Sequence, residues 1–314
     1  MSAIHHVTAI AGNPGRNLDF YARTLGLRFV KKTVNFDDPG SYHFYYGNET
    51  GDPGTILTFF AWEHAAPGHG GSGQADETAL RIPARSLAYW TQRLAAKGVQ
   101  HGAVSRRFDQ PVLALSDPDG LRLALIGIEG AEAQGAWSNA EIPPEHAIRG
   151  FYGVTLLLRD AAATAAILTE VAGHELAGRE GATFRYRAAE PMGGVIDICV
   201  ARDLLAGRVG RGSVHHIAFR ARDDAQQAEM VRKLVDTHGL SVTDQRDRKY
   251  FRSVYYREPG GVLFEIATDN PGFAADEPVE QLGRALKLPP QYERYRAEIE
   301  RALPKVRLPA ARPH

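Results

Sequence analysis

The chain has 314 residues, 44% of them hydrophobic and 24% charged, enough to bury one large core or two of ordinary size. Its 37 Lys plus Arg balance 37 Asp plus Glu, which leaves no basic field for nucleic acid and no acidic tail, so a small, weakly charged partner fits better. No run approaches the roughly 20 apolar residues of a membrane span, and the first strand pattern starts at Ile4, too early to follow a secretory leader; a cytoplasmic protein without nucleic-acid or membrane partners is expected, with self-association left open.

One pattern recurs four times along the chain: a short apolar strand, a helical segment, a glycine turn, then further strands. The first strand, 4 to 10, precedes the helical Asn17-Leu18-Asp19-Phe20-Tyr21 and the turn and strand Leu25-Gly26-Leu27-Arg28-Phe29-Val30. The second strand, 78 to 82, precedes Leu87-Ala88-Tyr89-Trp90 and Ala96-Lys97-Gly98-Val99. Weaker copies follow strands 151 to 158 and 214 to 221, with turns at Gly173 and Gly239; each glycine suits a left-handed helix C-terminus. Three units close on a Pro/Gly turn and an apolar run: Asp117-Pro118-Asp119-Gly120, Pro191-Met192-Gly193-Gly194 and Glu258-Pro259-Gly260-Gly261. Each unit therefore reads βαβββ.

A Gly/Ala/Pro-containing stretch separates units two and three. The division expected is 1–130, a linker 131–148, 149–273, and an extension 274–314 with an amphipathic helix near residues 291 to 303. The lone Cys199 excludes an intrachain disulfide and, within Val195-Ile196-Asp197-Ile198-Cys199-Val200, reads as a small core residue.

The chemistry concentrates in the first strands of units one and four, Ile4-His5-His6-Val7-Thr8 and Val214-His215-His216-Ile217-Ala218, which carry a His doublet in the same register. Units two and three have none there. Side chains alternate across a strand, so Val7 and Ile217 face the helices while His6 and His216 face the opposite, concave side. Glu265 interrupts Val262-Leu263-Phe264-Glu265-Ile266-Ala267, where an unpaired buried carboxylate is costly. Two His and one carboxylate with open positions suit a mononuclear metal, typically non-haem Fe(II). The structural alternative makes the doublets ordinary sheet residues and pairs Glu265 with Arg248 or Arg252.

These features resemble the vicinal oxygen chelate superfamily (glyoxalases, bleomycin-resistance proteins, extradiol dioxygenases) over residues 3 to 270. The segments at 4 to 8, 214 to 219 and 264 to 267 look most like its hydroquinone ring-cleaving dioxygenases. The resemblance implies an α+β fold, four βαβββ modules forming two domains with curved, antiparallel-rich sheets enclosing cups. It implies Fe(II), with Mn(II) as the alternative, on His6, His216 and Glu265, and a pocket lined by His5, Thr8, His215, Arg248 and Tyr255. An aromatic diol and O2 would be the substrates. In that chemistry the metal stabilises a phenolate; His5 or His215 would shuttle a proton, Tyr255 donate a hydrogen bond and Arg248 orient the anion.

Two rivals share the fold. A glyoxalase-like isomerase normally needs a second carboxylate, where unit one has Thr58 or Phe59 depending on a one-residue gap; a non-catalytic small-molecule binder generally lacks the ligand set. Gly68-His69-Gly70-Gly71-Ser72-Gly73 fits GxGxxG but leads into a strand, with Arg93 near the place of the required acid, and reads as a flexible loop or lid. His43 reads as core or pocket wall, and His64, His69, His101, His146, His174, His238 and His314 lack partner spacing.

Overall fold

The computed structural model of the chain describes residues 2–139 and 141–308; His314 lies outside them. Module one comprises β1 (Ile4–Ala11), α1 (Pro14–Leu18, prolonged by a π-helical segment Asp19–Thr24), β2 (Arg28–Val34), β3 (Tyr42–Gly47) and β4 (Ile56–Ala61). Module two comprises β5 (Gln74–Pro83), α2 (Leu87–Ala96), β6 (Ser105–Arg107), β7 (Gln110–Ser116) and β8 (Arg122–Ile128). Module three runs through β9 (Phe151–Leu158), α3 (Ala162–Ala166), β10 (Glu175–Glu180), β11 (Thr183–Arg187) and β12 (Val195–Val200). Module four has β13 (Val214–Ala221), α4 (Asp224–Arg232), β14 (Arg246–Asp247), β15 (Arg252–Arg257) and β16 (Leu263–Thr268). The glycine after each helix takes left-handed backbone, with φ of +73° at Gly26, +66° at Gly98, +75° at Gly173 and +65° at Gly239. A β-carbon strains that conformation, which is why glycine marks all four turns.

The architecture is α+β, two curled sheets in two domains. One has the order β14-β15-β16-β13-β1-β4-β3-β2-β17, the last strand being Leu286–Lys287; the other is β10-β11-β12-β9-β5-β8-β7-β6. Within each module the first and last strands lie parallel, and modules join through the antiparallel pairs β1–β13 and β5–β9. Module one thus shares a sheet with module four, and module two with module three. The stretch 131–148 connects β8 to β9, both in the eight-stranded sheet. The halves 1–130 and 149–273 stand as a proposal about the order of repeats, since hydrogen bonding pairs modules across them. One face of each sheet packs on the helices: Val7, Ile217, Phe59 and Phe264 on one sheet and Leu80, Trp90 and Leu156 around the other are all buried in a common cluster.

The sequence expectations need three corrections. The α-helix of the extension is α5 (Arg296–Ala302), and Pro290–Tyr295 forms 3-10 turns instead, entered through Pro289 and Pro290. It buries Ile299 and keeps Arg296 paired with Glu293 and Glu300 outside. The loop at 68 to 73 is stitched to the loop before β13 by bridges at Pro67–Arg211, His69–Arg208 and Ser72–Ala206, and β5 starts at Gln74 rather than Thr78. Cys199 is half-buried, while Asp197 in the same run is buried and paired with Arg185. Among the described residues no helix is long and apolar enough to cross a membrane.

Asp117 locks a module-two turn to module one: its Oδ1 accepts the amides of Asp119 and Leu121 at 2.8 Å, and Oδ2 accepts the Tyr21 hydroxyl at 2.9 Å. Burial pushes its pKa up to about 6, against the pull of those donors. The folded state therefore binds the proton more tightly than the unfolded state, so this residue's contribution is full below about pH 4 and is lost as pH rises through about 6. Asp117→Asn keeps the acceptor Oδ1 and removes the titration. Between pH 4.5 and 7.5 the variant should gain about 2 kcal/mol on the parent, read as the change in their stability difference by urea unfolding.

Candidate metal centre

The β1–β13 junction sets His6 opposite Ala218 and Thr8 opposite His216, so the two imidazoles lie diagonally on one face. Parallel pairing of β13 with β16 puts Glu265 opposite Ala218, on that same face. Three residues distant in sequence thereby meet: Glu265 Oε2 lies 3.3 Å from His6 Nε2 and 3.0 Å from His216 Nε2. Their ligand atoms all fall within 4.8 Å of one another, at exposures of 2% for His6, 4% for His216 and 0% for Glu265.

The donor set fits a cation. Ser253 donates its hydroxyl to Glu265 Oε1, whereas Oε2 is buried and receives no hydrogen bond. Each imidazole uses its other nitrogen elsewhere: His6 Nδ1 is 2.9 Å from His5 Nδ1, and His216 Nδ1 is 2.7 Å from His215 Nδ1. Both Nε2 atoms are thus presented at the orphaned oxygen, with the neighbouring histidines fixing tautomer and ring angle as outer partners of metal ligands do. Burial works against the Glu265 charge, but the adjacent imidazoles outweigh it and hold the carboxyl well below the usual range. Neither arginine considered from sequence reaches it. Arg248 contacts the Tyr255 hydroxyl and Asp37, each at 3.1 Å, and Arg252 pairs with Asp224 at 2.8 Å.

A cavity of about 450 Å³ opens onto both imidazoles of the triad, Glu265 itself being fully buried. Of the residues named from sequence, Thr8, His215, Arg248 and Tyr255 line it. His5 does not. It sits at a bulge of β1 and borders a separate cavity of about 160 Å³ with Asp52 and Asp269, while its ring nitrogen braces His6. No described residue from 63 to 73 lines the main cavity, so the glycine loop is not its lid. His43 is pocket wall, as expected.

Sequence reasoning missed the aromatic wall. Phe60 and Trp62 stack at 5.4 Å and 14°, with His215 edge-on to Phe60 at 5.4 Å, and Phe251 packs 4.9 Å from the His6 ring, with Asn35, Asp37 and Arg246 among the remaining lining residues. A signal existed: Thr58, Phe60 and Trp62 alternate along β4 and its continuation, so they share a face. Register also resolves the place matching Glu265. Thr8 pairs with Thr58 as Ala218 pairs with Glu265, so the position is Thr58, not Phe59.

The other sheet repeats this register without the chemistry. Its bulges match, and Glu77, Gly153 and Asp197 occupy the places of His6, His216 and Glu265. Arg107 lies 2.6 Å from Glu77 and Arg185 lies 2.6 Å from Asp197, so guanidinium groups neutralise both carboxylates there. Equilibrium dialysis with Fe(II) or Mn(II) under anaerobic conditions, read by elemental analysis, should give one bound ion per chain. His6→Ala, His216→Ala and Glu265→Ala should each weaken binding at least roughly 100-fold, as expected for loss of one of three ligands; undiminished metal in Glu265→Ala would remove it from the set.

Comparison with known proteins places these features. The model of the Glyoxalase/Bleomycin resistance protein/Dioxygenase superfamily matches residues 3–125. MhqO of Bacillus subtilis (strain 168), provisionally named a ring-cleaving dioxygenase, is 48% identical over 300 residues, covering 96% of this chain and 95% of its own. A chlorohydroquinone/hydroquinone 1,2-dioxygenase of Sphingobium indicum is 35% identical over 314 residues, with 96% of each chain covered. A crystal structure titled as a provisional dioxygenase from Bacillus subtilis superposes with TM-score 0.93 at 46% identity, covering 98% of both chains. Glyoxalase I from Zea mays shares the fold, with TM-score 0.62 at 13% identity over 86% of this chain and 93% of that one.

Proposed function

The chain belongs to the glyoxalase/bleomycin resistance protein/dioxygenase superfamily, and on that premise we propose that it is an Fe(II)-dependent ring-cleaving dioxygenase, opening a hydroquinone-type aromatic diol with O2 in the cytoplasm. One observation carries the reading: two imidazoles and a single carboxylate converge at the floor of an aromatic-walled cavity, with Thr58 where a second carboxylate would stand. Three protein ligands leave room for both diol and oxygen on one ion. A glyoxalase-type isomerase would want Thr58 to be acidic.

His6, His216 and Glu265 would hold the iron, which supplies Lewis acidity toward the diol and an electron path between diol and O2. The protein's own groups do the positioning. Phe60 and Trp62 offer a flat face for the ring, and the cavity volume, about 450 Å³, suits a single substituted ring. Arg248, anchored by Asp37 and Tyr255, presents a fixed positive charge to an ionised substrate oxygen. Burial and the Glu265 charge push the Tyr255 phenol above its ordinary range, keeping it a protonated donor. His215 is held neutral, its pKa lowered to about 3 by burial and by His216, so it offers a hydrogen-bonding edge rather than a second cation. His5, behind His6, serves by fixing that ligand.

Oxygen uptake by anaerobically Fe(II)-loaded protein tests the reading against hydroquinone, catechol and the methylglyoxal–glutathione adduct. Uptake with hydroquinone is expected, whereas turnover of the adduct with neither diol consuming oxygen would overturn it. Arg248→Met should lower kcat/KM for the diol roughly 10- to 100-fold, the loss expected for a charge-assisted hydrogen bond.

A further inference from the structure

Beside the triad runs a buried polar chain to which the function proposed above gives no task; its role rests on the diol binding of that reading. The Tyr45 hydroxyl is 3.0 Å from His43 Nδ1, His43 Nε2 is 2.7 Å from Thr58 Oγ1, and Thr58 Oγ1 is 3.0 Å from Thr8 Oγ1. Exposures are 2%, 9%, 0% and 0% for Tyr45, His43, Thr58 and Thr8. The chain occupies the counterpart of the carboxylate site. Tyr45 pairs with Thr58 across β3–β4 as Tyr255 pairs with Glu265 across β15–β16, and His43 stands where Ser253 supports Glu265.

Proton counting allows two orders along the chain, and donor strength separates them. Tyr45, like Thr8, lines the cavity, so its proton has an outlet there as well as at His43 Nδ1; a phenol is a stronger donor and a weaker acceptor than an aliphatic hydroxyl, so the favoured arrangement has Tyr45 donating to Nδ1. Burial, with the neighbouring His216 and His6, holds the pKa of His43 well below its usual range, so the ring is neutral and its single proton sits on Nε2. Nε2 donates to Thr58, which must turn its own proton toward Thr8. Thr8 then accepts from Thr58 and has no acceptor for its own proton among the described residues, yet it lines the cavity over the triad. The reverse order would make the weakly accepting phenol oxygen of Tyr45 take the imidazole proton, and would present the cavity with the tyrosine proton at one end and a Thr8 lone pair at the other.

We propose that Tyr45, His43 and Thr58 form a one-way hydrogen-bond chain that commits the Thr8 hydroxyl proton to an oxygen of the bound diol. Thr8 touches substrate; His43 and Thr58 are positioning residues. A fixed donor favours an ionised or carbonyl oxygen over a neutral hydroxyl, so the device discriminates in favour of the deprotonated diol and against ligands that present only O–H donors.

Two measurements on the protein loaded with redox-silent Zn(II) test this without turnover. Nitrogen-15 NMR of labelled histidines should find His43 protonated at Nε2 and bare at Nδ1, and the opposite tautomer overturns the chain's direction. Anaerobic titration with hydroquinone should show Thr58→Val binding roughly tenfold more weakly than wild type, and Thr58→Ser within roughly twofold of it. The Thr8→Val, Thr58→Val double variant should be no weaker than Thr8→Val alone, because both cut one chain. Equal affinity in wild type and Thr58→Val, or a Thr58→Ser loss as large as that of Thr58→Val, overturns the proposal. Wild type that binds hydroquinone but consumes no oxygen with Fe(II) would remove ring cleavage and leave the chain standing. Wild type that binds none would overturn the role given to Thr8.

Discussion

Glu265 places a carboxylate where no water reaches, between two imidazoles that already spend their other nitrogens on neighbouring histidines. A buried charge of this kind needs compensation, since the protein otherwise bears the full cost of desolvating it. One oxygen has its partner in Ser253; the second has none. The site is therefore built for a positive charge at one point, and the adjoining elements serve to fix that point: the β1–β13 seam supplies the imidazoles, β16 the carboxylate, and β15 the supporting hydroxyl.

The second sheet shows what the same backbone does without that demand. At matching register it carries Glu77 and Asp197, and it compensates them with Arg107 and Arg185, the latter also stacked 4.0 Å over the Phe108 ring and hydrogen-bonded to the Tyr152 hydroxyl. A guanidinium fills space as well as neutralising charge, so that cup is closed by side chains. The His–His–Glu triad leaves its cup open. A single seam geometry thus yields a packed structural centre on one sheet and an accessible cavity on the other.

The C-terminal extension steadies the outer wall of the open cup. Lys31 on β2 is fully buried, yet its ammonium meets Asp276 at 2.7 Å, Glu277, and the Phe273 carbonyl at 3.1 Å, all from the segment after β16. A lysine in such a place is tolerable because every donor is used. These contacts tie β2 to the segment that follows β16, so the edge of module one and the end of module four are held together.

The sequence by itself determined the modules and the triad. Glycines at four helix ends are compelled by left-handed backbone, paired His doublets in one register announce a shared face, and a glutamate inside an apolar strand is legible because burial makes it expensive. What it could not determine was the strand register that joins those modules, because pairing between distant strands leaves no local periodicity. The tertiary structure decided that modules one and four share a seam, set His5 against a separate cavity, settled Thr58 as the counterpart of Glu265, and gathered Phe60, Trp62 and His43 around the triad. Those are properties of register between strands far apart in the chain. Only folding brings them into contact.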